Sequence, residues 1–242
     1  MGQAPVLVMC DNDGTLVQSE KAHFNAISGV AVKHSGHMIT DDEWWEHCSG
    51  KGHARIWQWL HQQHPGFAIE QNNFIQECLA AYERGLPNLQ ARKGMKSSLN
   101  HFGLGTSILP PVNSNTVTNT VYNGLIITGL RDVLGDLYGA DIIKEYGLPT
   151  KPAPDSWLYI AKQRHDIRDK DLKRVAVFED SDSGCLSARI AGLYVVQFTH
   201  HEGFGEHGYK APKSPHANYY IGKDPEELAK FTHDMLNGDL LP

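Results

Sequence analysis

The 242-residue chain has few cysteines, and Cys10, Cys48, Cys78 and Cys185 stand far apart without C-x-x-C spacing. That pattern excludes a disulfide framework and a cysteine-built zinc site, and it suits reduced thiols. No stretch is long and apolar enough to cross a bilayer as a helix, so no membrane partner is expected. Basic residues are the minority: 22 Lys and Arg against 28 Asp and Glu leave a formal charge of -6. Without an overall basic field, nucleic acid is not an expected partner. The start MGQAPV lacks the charged region and apolar core of a signal peptide, and Val6 stands where a myristoylation signal wants Ser or Thr. A cytoplasmic protein, monomeric or a weak homo-oligomer, is the expectation. Internal repeats and low-complexity tracts are also missing.

What remains is a globular composition, 40% apolar and 21% charged, long enough for one large domain or a domain carrying an insert. Residues 5–10, PVLVMC, form an apolar run suited to a strand buried on both faces. From about residue 19 to 85 the pattern is helical. Ala22, Ala26, Ile27, Val30 and Ala31 share one face up to Gly36, and Thr40 with Glu43 has capping-box spacing. GHARIWQWLHQQ and IEQNNFIQECLAAYERG read as two further helices. After Pro87 helix-like and strand-like segments alternate: helix over 93–103, strand over 106–112, helices over 115–127 and 154–165, strand over 175–179, helix over 183–192 and strand over 193–198. This alternation predicts α/β architecture with parallel βαβ units, a Rossmann-like sheet core interrupted after its first strand by an all-helical insert.

In open parallel sheets, ligands sit beyond the carboxyl ends of the strands. Four places there carry chemistry: Asp11 and Asp13 in DNDGTL, Ser114 and Asn115 in PVNSNT, Lys151 in TKPAPD, and Glu179 and Asp180 in VFEDSDSG. Any one of them alone is an ordinary turn former or helix cap. Taken together they place several carboxylates on one rim. Such a rim requires a neutralising cation, and its hard oxygen donors favour Mg²⁺.

These four motifs, in this order, resemble those of the haloacid dehalogenase superfamily, and the helical insert resembles the cap of its phosphoglycolate phosphatase and β-phosphoglucomutase-like branch. The resemblance covers nearly the whole chain. It implies a core of residues 1–17 and 88–242 and a cap domain of residues 18–87. It implies Mg²⁺ as cofactor and a small phosphorylated substrate. Asp11 becomes the nucleophile that forms an aspartyl-phosphate, and Asp13 the acid and then base. Ser114 becomes a hydrogen-bond donor to the phosphoryl group, and Lys151 its countercharge and a restraint on the nucleophile. Asp11, Asp180 and the Asp13 carbonyl become metal ligands, with Glu179 in or beside that set. One departure is local: Pro110 and Pro111 cannot donate ladder hydrogen bonds, so the strand before Ser114 must bulge or start late.

The cap loop CSGKGHAR, residues 48–55, is expected to face the substrate, with Gly50, Lys51, His53 or Arg55 gripping a distal anionic or hydroxyl group; ordinary exposed positions at a helix start are the competing reading. His23 stands in a place resembling a histidine of the mutase members, after the first motif, and reads first as a solvated or capping histidine. Trp44, Trp45, Trp57 and Trp59 read mainly as packing between cap helices rather than as a sugar-stacking wall. GFGEHG, residues 203–208, fits G-x-G-x-x-G, but no helix pattern follows to receive a pyrophosphate. His200, His201 and His207 could make a second metal site, but an irregular loop gives no ligand geometry for one.

The expectation is therefore a Mg²⁺-dependent phosphatase acting on a small metabolite, a sugar phosphate first. A β-phosphoglucomutase-type mutase is the alternative. A phosphonatase using Lys51, and a noncatalytic binding protein on the same scaffold, rank lower, and Asp13 counts against a dehalogenase.

Overall fold

The structure, a computed structural model, describes residues 3–204 and 208–241. The run at residues 5–10 becomes β1 (Leu7–Cys10), buried along its whole length. It lies at the centre of a six-stranded parallel sheet with β2 (Val112–Asn113), β3 (Leu137–Tyr138), β4 (Val175–Glu179), β5 (Tyr194–Phe198) and β8 (Tyr219–Ile221), in the order β3-β2-β1-β4-β5-β8. A short antiparallel pair, β6 (His200–His201) and β7 (Tyr209–Lys210), stands apart from it. Strand order reverses at β1, with β2 on one side and β4 on the other. A crevice opens at such a switch point, beyond the carboxyl ends of these three strands.

Successive side chains of a strand point to opposite faces, and β1 divides accordingly. Val8 and Cys10 join one core with Phe102, Phe178, Phe198 and Phe231, while Leu7 and Met9 join the other with Trp157, Val177 and Val195. The first core is covered by α5 (Met95–Thr106), α6 (Thr118–Ile127) and α10 (Pro225–Leu236). The second lies under α7 (Ala140–Glu145), α8 (Asp155–Leu158) and α9 (Asp182–Ile190).

Between β1 and α5 stand α1 (Glu20–Ser35), α2 (Asp41–Glu43), α3 (His53–Gln63) and α4 (Gln71–Gly85). They have an apolar cluster of their own around Ile27, Trp44, Ile56, Leu60, Phe67 and Phe74. The capping box at Thr40 forms as expected, and Trp45, Trp57 and Trp59 pack against this cluster. Phe204 enters the same cluster, and Tyr209 of β7 stacks on Trp45 at 3.7 Å. The loop after β5 therefore holds the helical block from the core side.

Three expectations change in detail. The strand expected over 106–112 pairs only at Val112–Asn113, because Pro110 and Pro111 can only accept: their carbonyls take hydrogen bonds from Gly135 and Cys10. The helix expected over 154–165 is α8 followed by a π-helical turn, Tyr159–Arg164, and α2 likewise runs into a π-turn, Trp44–Cys48. β3, β8, α7 and α10 were not expected, although Asp224 caps α10 and Pro225 opens it, a legible start signal.

Phe178 sits in β4 with no exposure, edge-on to Phe102 at 5.6 Å and Phe198 at 5.5 Å. Phe178→Ala is expected to lower stability by about 3–5 kcal/mol in urea unfolding. A loss below about 1 kcal/mol would show that this cluster does not anchor the sheet.

Candidate active site

The carboxyl end of β1 delivers Asp11 into the crevice, and Gly14 allows the chain to turn at φ +73. A Cβ on Gly14 would lie 2.0 Å from Asp180 Oδ2, so the close approach of these two loops requires glycine. Lys151 reaches the same point. Its buried ammonium donates to Asp11 Oδ1, to Glu179 Oε1 at 2.6 Å and to the Asn113 carbonyl at 3.2 Å. Burial would lower the lysine's pKa, but the two carboxylates outweigh it and raise it, so the ammonium stays charged.

Glu179 has no exposure, and its oxygens are occupied: Oε1 by Lys151, Oε2 by the amides of Asp180 and Ser181 and the Ser181 hydroxyl. A Cβ on Gly184 would lie 2.0 Å from Glu179 Cδ, which explains the glycine in the EDSDSG motif. Asp180 is less supported, with Thr15 Oγ1 at 3.4 Å and His201 Nε2 at 3.8 Å. Burial, Arg92 and His200 push the His201 pKa down to about 3, so this neighbour carries no charge. Oxygens of Asp11, Glu179 and Asp180 lie within 4.8 Å of one another. Burial raises the Asp11 pKa to about 8, Lys151 opposing, and burial with Glu179 and Asp11 drives that of Asp180 well above the carboxylate range. Buried oxygens in this state fit a divalent cation of the Mg²⁺ type, which would return both groups to their anions.

Asp13 differs. Its Oδ1 accepts from Ser19 Oγ at 2.9 Å, Tyr82 OH at 3.3 Å and His23 Nε2 at 3.4 Å, and its Oδ2 from Thr116 Oγ1 at 2.8 Å and Ser114 Oγ at 3.3 Å. Burial would raise its pKa, yet these bonds and the His23 charge outweigh burial and hold it below the usual carboxylate range. His23 is therefore not the solvated residue expected. It lines the cavity, stacks on Tyr82 at 4.0 Å and bonds Asp13.

The cavity, about 200 Å³, is lined by Asp11, Asp13, Ser114, Asn115, Lys151 and Asp180 from the core and by Glu20, Gly50, Lys51 and His53 from the helical block. Gly50 lies against Ser181, closing the block over the crevice. Asn115 donates to the Lys151 carbonyl at 3.3 Å. Of the cap-loop residues, Arg55 is not in the lining, and the exposed Lys51, which is, donates from its ammonium to the Glu46 carbonyl. Ser19, Glu20, Tyr82 and Thr116 join the site beyond the four motifs; Ser19 and Glu20 directly follow the first motif, and Thr116 stands two residues after Ser114. Of GFGEHG, residues 205–207 lie outside the described residues, His207 among them, while His200 and His201 form β6.

A lysine bound to paired carboxylates at the switch point of a parallel sheet, beneath an inserted helical block, defines a capped α/β protein with an anion-rich crevice. No protein-family profile matches the sequence, and no curated protein matches it. Solved structures do. A HAD family hydrolase from Deinococcus radiodurans R1, with bound phosphate and sodium, is 21% identical at TM-score 0.73, covering 99% of each chain. A predicted phosphoglycolate phosphatase from Haemophilus somnus 129PT is 20% identical at TM-score 0.73, over 93% of this chain and 97% of its own. CbbY from Rhodobacter sphaeroides, as a mutant in complex with xylulose-1,5-bisphosphate, is 19% identical at TM-score 0.69, over 90% of this chain and 93% of its own. The chain has the fold of the haloacid dehalogenase-like hydrolases.

Burial would lower the His23 pKa, but the Asp13 bond and charge and the Glu20 charge raise it. With the folded value above the unfolded one, the histidine's stabilising contribution is complete below about pH 6.5 and is lost as pH rises through the folded value. The stability difference between the protein and His23→Gln should therefore be largest between about pH 4.5 and 6.5, where Asp13 is ionised in both states, and shrink as pH rises above that window, measured by urea unfolding. A difference that grows with pH would refute the ion pair.

Proposed function

We propose that the protein is a Mg²⁺-dependent phosphatase that hydrolyses a small phosphomonoester, a sugar phosphate first, through an aspartyl-phosphate on Asp11. The observation that carries this reading is the unlike pairing of two carboxylates on one crevice. Asp11 is restrained by Lys151 with its other oxygen left for attack, while Asp13 stands in a cage of hydroxyls and an imidazole. Residues 18–87 act as a cap and residues 1–17 with 88–242 as the core.

In the first half-reaction an Asp11 oxygen attacks phosphorus, an O–P bond forms, and the bond to the leaving oxygen breaks. The leaving oxygen takes a proton from Asp13. Protonated Asp13 is disfavoured by its five donors, but the Ser19, Ser114 and Thr116 hydroxyls can rotate to accept as well as donate. In the second half-reaction Asp13, as the anion its cage favours, takes a proton from water. That water attacks the acyl phosphate, releasing inorganic phosphate and restoring Asp11. Lys151 offsets charge as it builds on the phosphoryl group and keeps Asp11 in line. Asp11, Asp180 and the Asp13 carbonyl would hold Mg²⁺, with Glu179 as the buried support that fixes Lys151 and the Asp180 loop. The bound ion supplies charge neutralisation and polarises the phosphoryl oxygen.

Lys51 is bonded to a carbonyl, which counts against a phosphonatase Schiff base on that residue. The retained nucleophile and carboxylate set count against a purely noncatalytic role. The fold resemblance to phosphatases agrees with the reading.

Asp11→Asn is expected to keep the fold, by circular dichroism, and to lower phosphate release by at least about 10³-fold on every substrate turned over. Chelation should stop turnover and Mg²⁺ restore it. Undiminished turnover in Asp11→Asn would sink the covalent route, and full activity in chelator the metal. Products should be checked for an isomerised sugar phosphate without free phosphate, which would mark a mutase.

A further inference from the structure

Resting on the phosphatase reading, we propose that the site selects phosphomonoesters whose leaving group bears no second negative charge, and that Glu20 enforces this choice. The matching substrate presents a hydroxyl or ammonium to the Glu20 carboxylate.

The cavity's charged walls are unbalanced. Asp11, Asp13, Glu20 and Asp180 line it, and Glu179 lies directly behind. Lys151 and Lys51 are its only lysines, and no arginine lines it among the described residues. Lys151 is committed to Asp11 and Glu179, Lys51 is turned to a backbone carbonyl, and His23, the third cation of the lining, is bonded to Asp13 Oδ1 at 3.4 Å. His53 also lines the cavity, but burial and the neighbouring His23 charge push its pKa down to about 4, so it is neutral near pH 7. A divalent ion offsets charge at the phosphoryl end only. A carboxylate or second phosphate on the leaving group would meet Glu20 with each lining cation already bonded elsewhere, in a setting where buried like charges repel strongly.

Glu20 is built to accept. It lies in the first turn of α1, where Trp44 Nε1 donates to Oε2 at 3.0 Å and Ser49 Oγ to Oε1 at 3.1 Å. Those bonds fix the carboxylate at the wall and leave each oxygen further lone-pair capacity toward the cavity. Ile27 and Ile56 line the same cavity, which suits a carbon skeleton ending in a donor. At about 200 Å³ the space is below the ≈ 300–1,000 Å³ of drug-sized pockets, so that skeleton is short.

The test is phosphate release with Mg²⁺ on two matched pairs: ethanolamine phosphate against phosphoglycolate, and glycerol phosphate against 3-phosphoglycerate. The uncharged or cationic member should have the higher kcat/KM by at least about tenfold in each pair, the scale of a single unpaired buried contact. In Glu20→Gln, which keeps the shape and the Trp44 and Ser49 contacts within reach, that ratio should fall at least about fivefold, through a gain on the anionic member. A merely structural Glu20 would lower both members together and leave the ratio alone. Equal or better turnover of the anionic members, an unchanged ratio in Glu20→Gln, or an anionic preference that collapses in Lys51→Ala overturns the proposal. If none of the four is hydrolysed, the phosphatase reading fails separately, and the charge rule is read from equilibrium binding of the same compounds to Asp11→Asn. Tighter phosphoglycolate there overturns it.

Discussion

The buried Lys151 ammonium, held between Asp11 and Glu179, is the interaction on which the crevice depends. All three side chains are nearly or wholly removed from water. A lone buried carboxylate is unfavourable, and two with no cation between them are worse, so loss of the lysine would leave a site destabilised by several kcal/mol. Three strands meet in this one cluster: β1 supplies Asp11, β4 supplies Glu179, and the carbonyl end of β2 at Asn113 accepts the third lysine hydrogen bond. The Lys151 ammonium also sits 5.2 Å from the Trp157 ring, so its anchor reaches the core on the far face of the sheet. Sheet register and site geometry are thus the same constraint, because a slip of β1 against β4 would separate the lysine's two partners.

Asp13 ties the helical block to that cluster. Ser114 and Thr116 approach it from the core, while Ser19, His23 and Tyr82 approach from the start of α1 and the end of α4. Displacing the block removes three of these five donors at once. The ionisation of Asp13 therefore depends on where the block sits, since three of the donors that favour the anion come from it. The same placement sets Gly50 against Ser181 and Trp45 onto Tyr209.

How much of this is legible in sequence follows from how local each signal is. Asp11, Asp13, Glu179 and Asp180 stand at the ends of apolar runs, and Lys151 stands in a Lys-Pro turn, so position along the chain already marks them. The helices between residues 20 and 85 are marked by periodicity, by the Thr40 capping box and by the left-handed Gly36 that ends α1. Tyr82 is different: its hydroxyl meets Asp13 across 69 residues, and nothing in IEQNNFIQECLAAYERG separates that tyrosine from its apolar neighbours. Arg55 errs in the other direction. Its charge in a loop near the site suggested a ligand grip, but α3 begins at His53, and the residues of that segment lining the cavity are His53 and Ile56. Two-residue strands such as β3 fall below any periodic signal; they exist because neighbouring strands offer unpaired carbonyls and amides.

Arg92 shows why the cavity remains anionic although a guanidinium lies beside it. Buried behind the first loop, it donates to the carbonyls of Gly14, of Thr15 at 2.9 Å and of His200 at 3.1 Å, with Phe198 under its plane at 4.5 Å. Its donors face backbone, so it fixes the turn that presents Asp11 and Asp13 without lining the crevice. Its field still lowers the cost of ionising Asp180, in opposition to burial, Glu179 and Asp11. A second cation inside the crevice, beside Lys151, would have paired with Asp180, which has no basic partner but the uncharged His201. Placed behind the loop, Arg92 holds the backbone in shape and leaves the carboxylates of Asp180 and Glu20 facing the cavity.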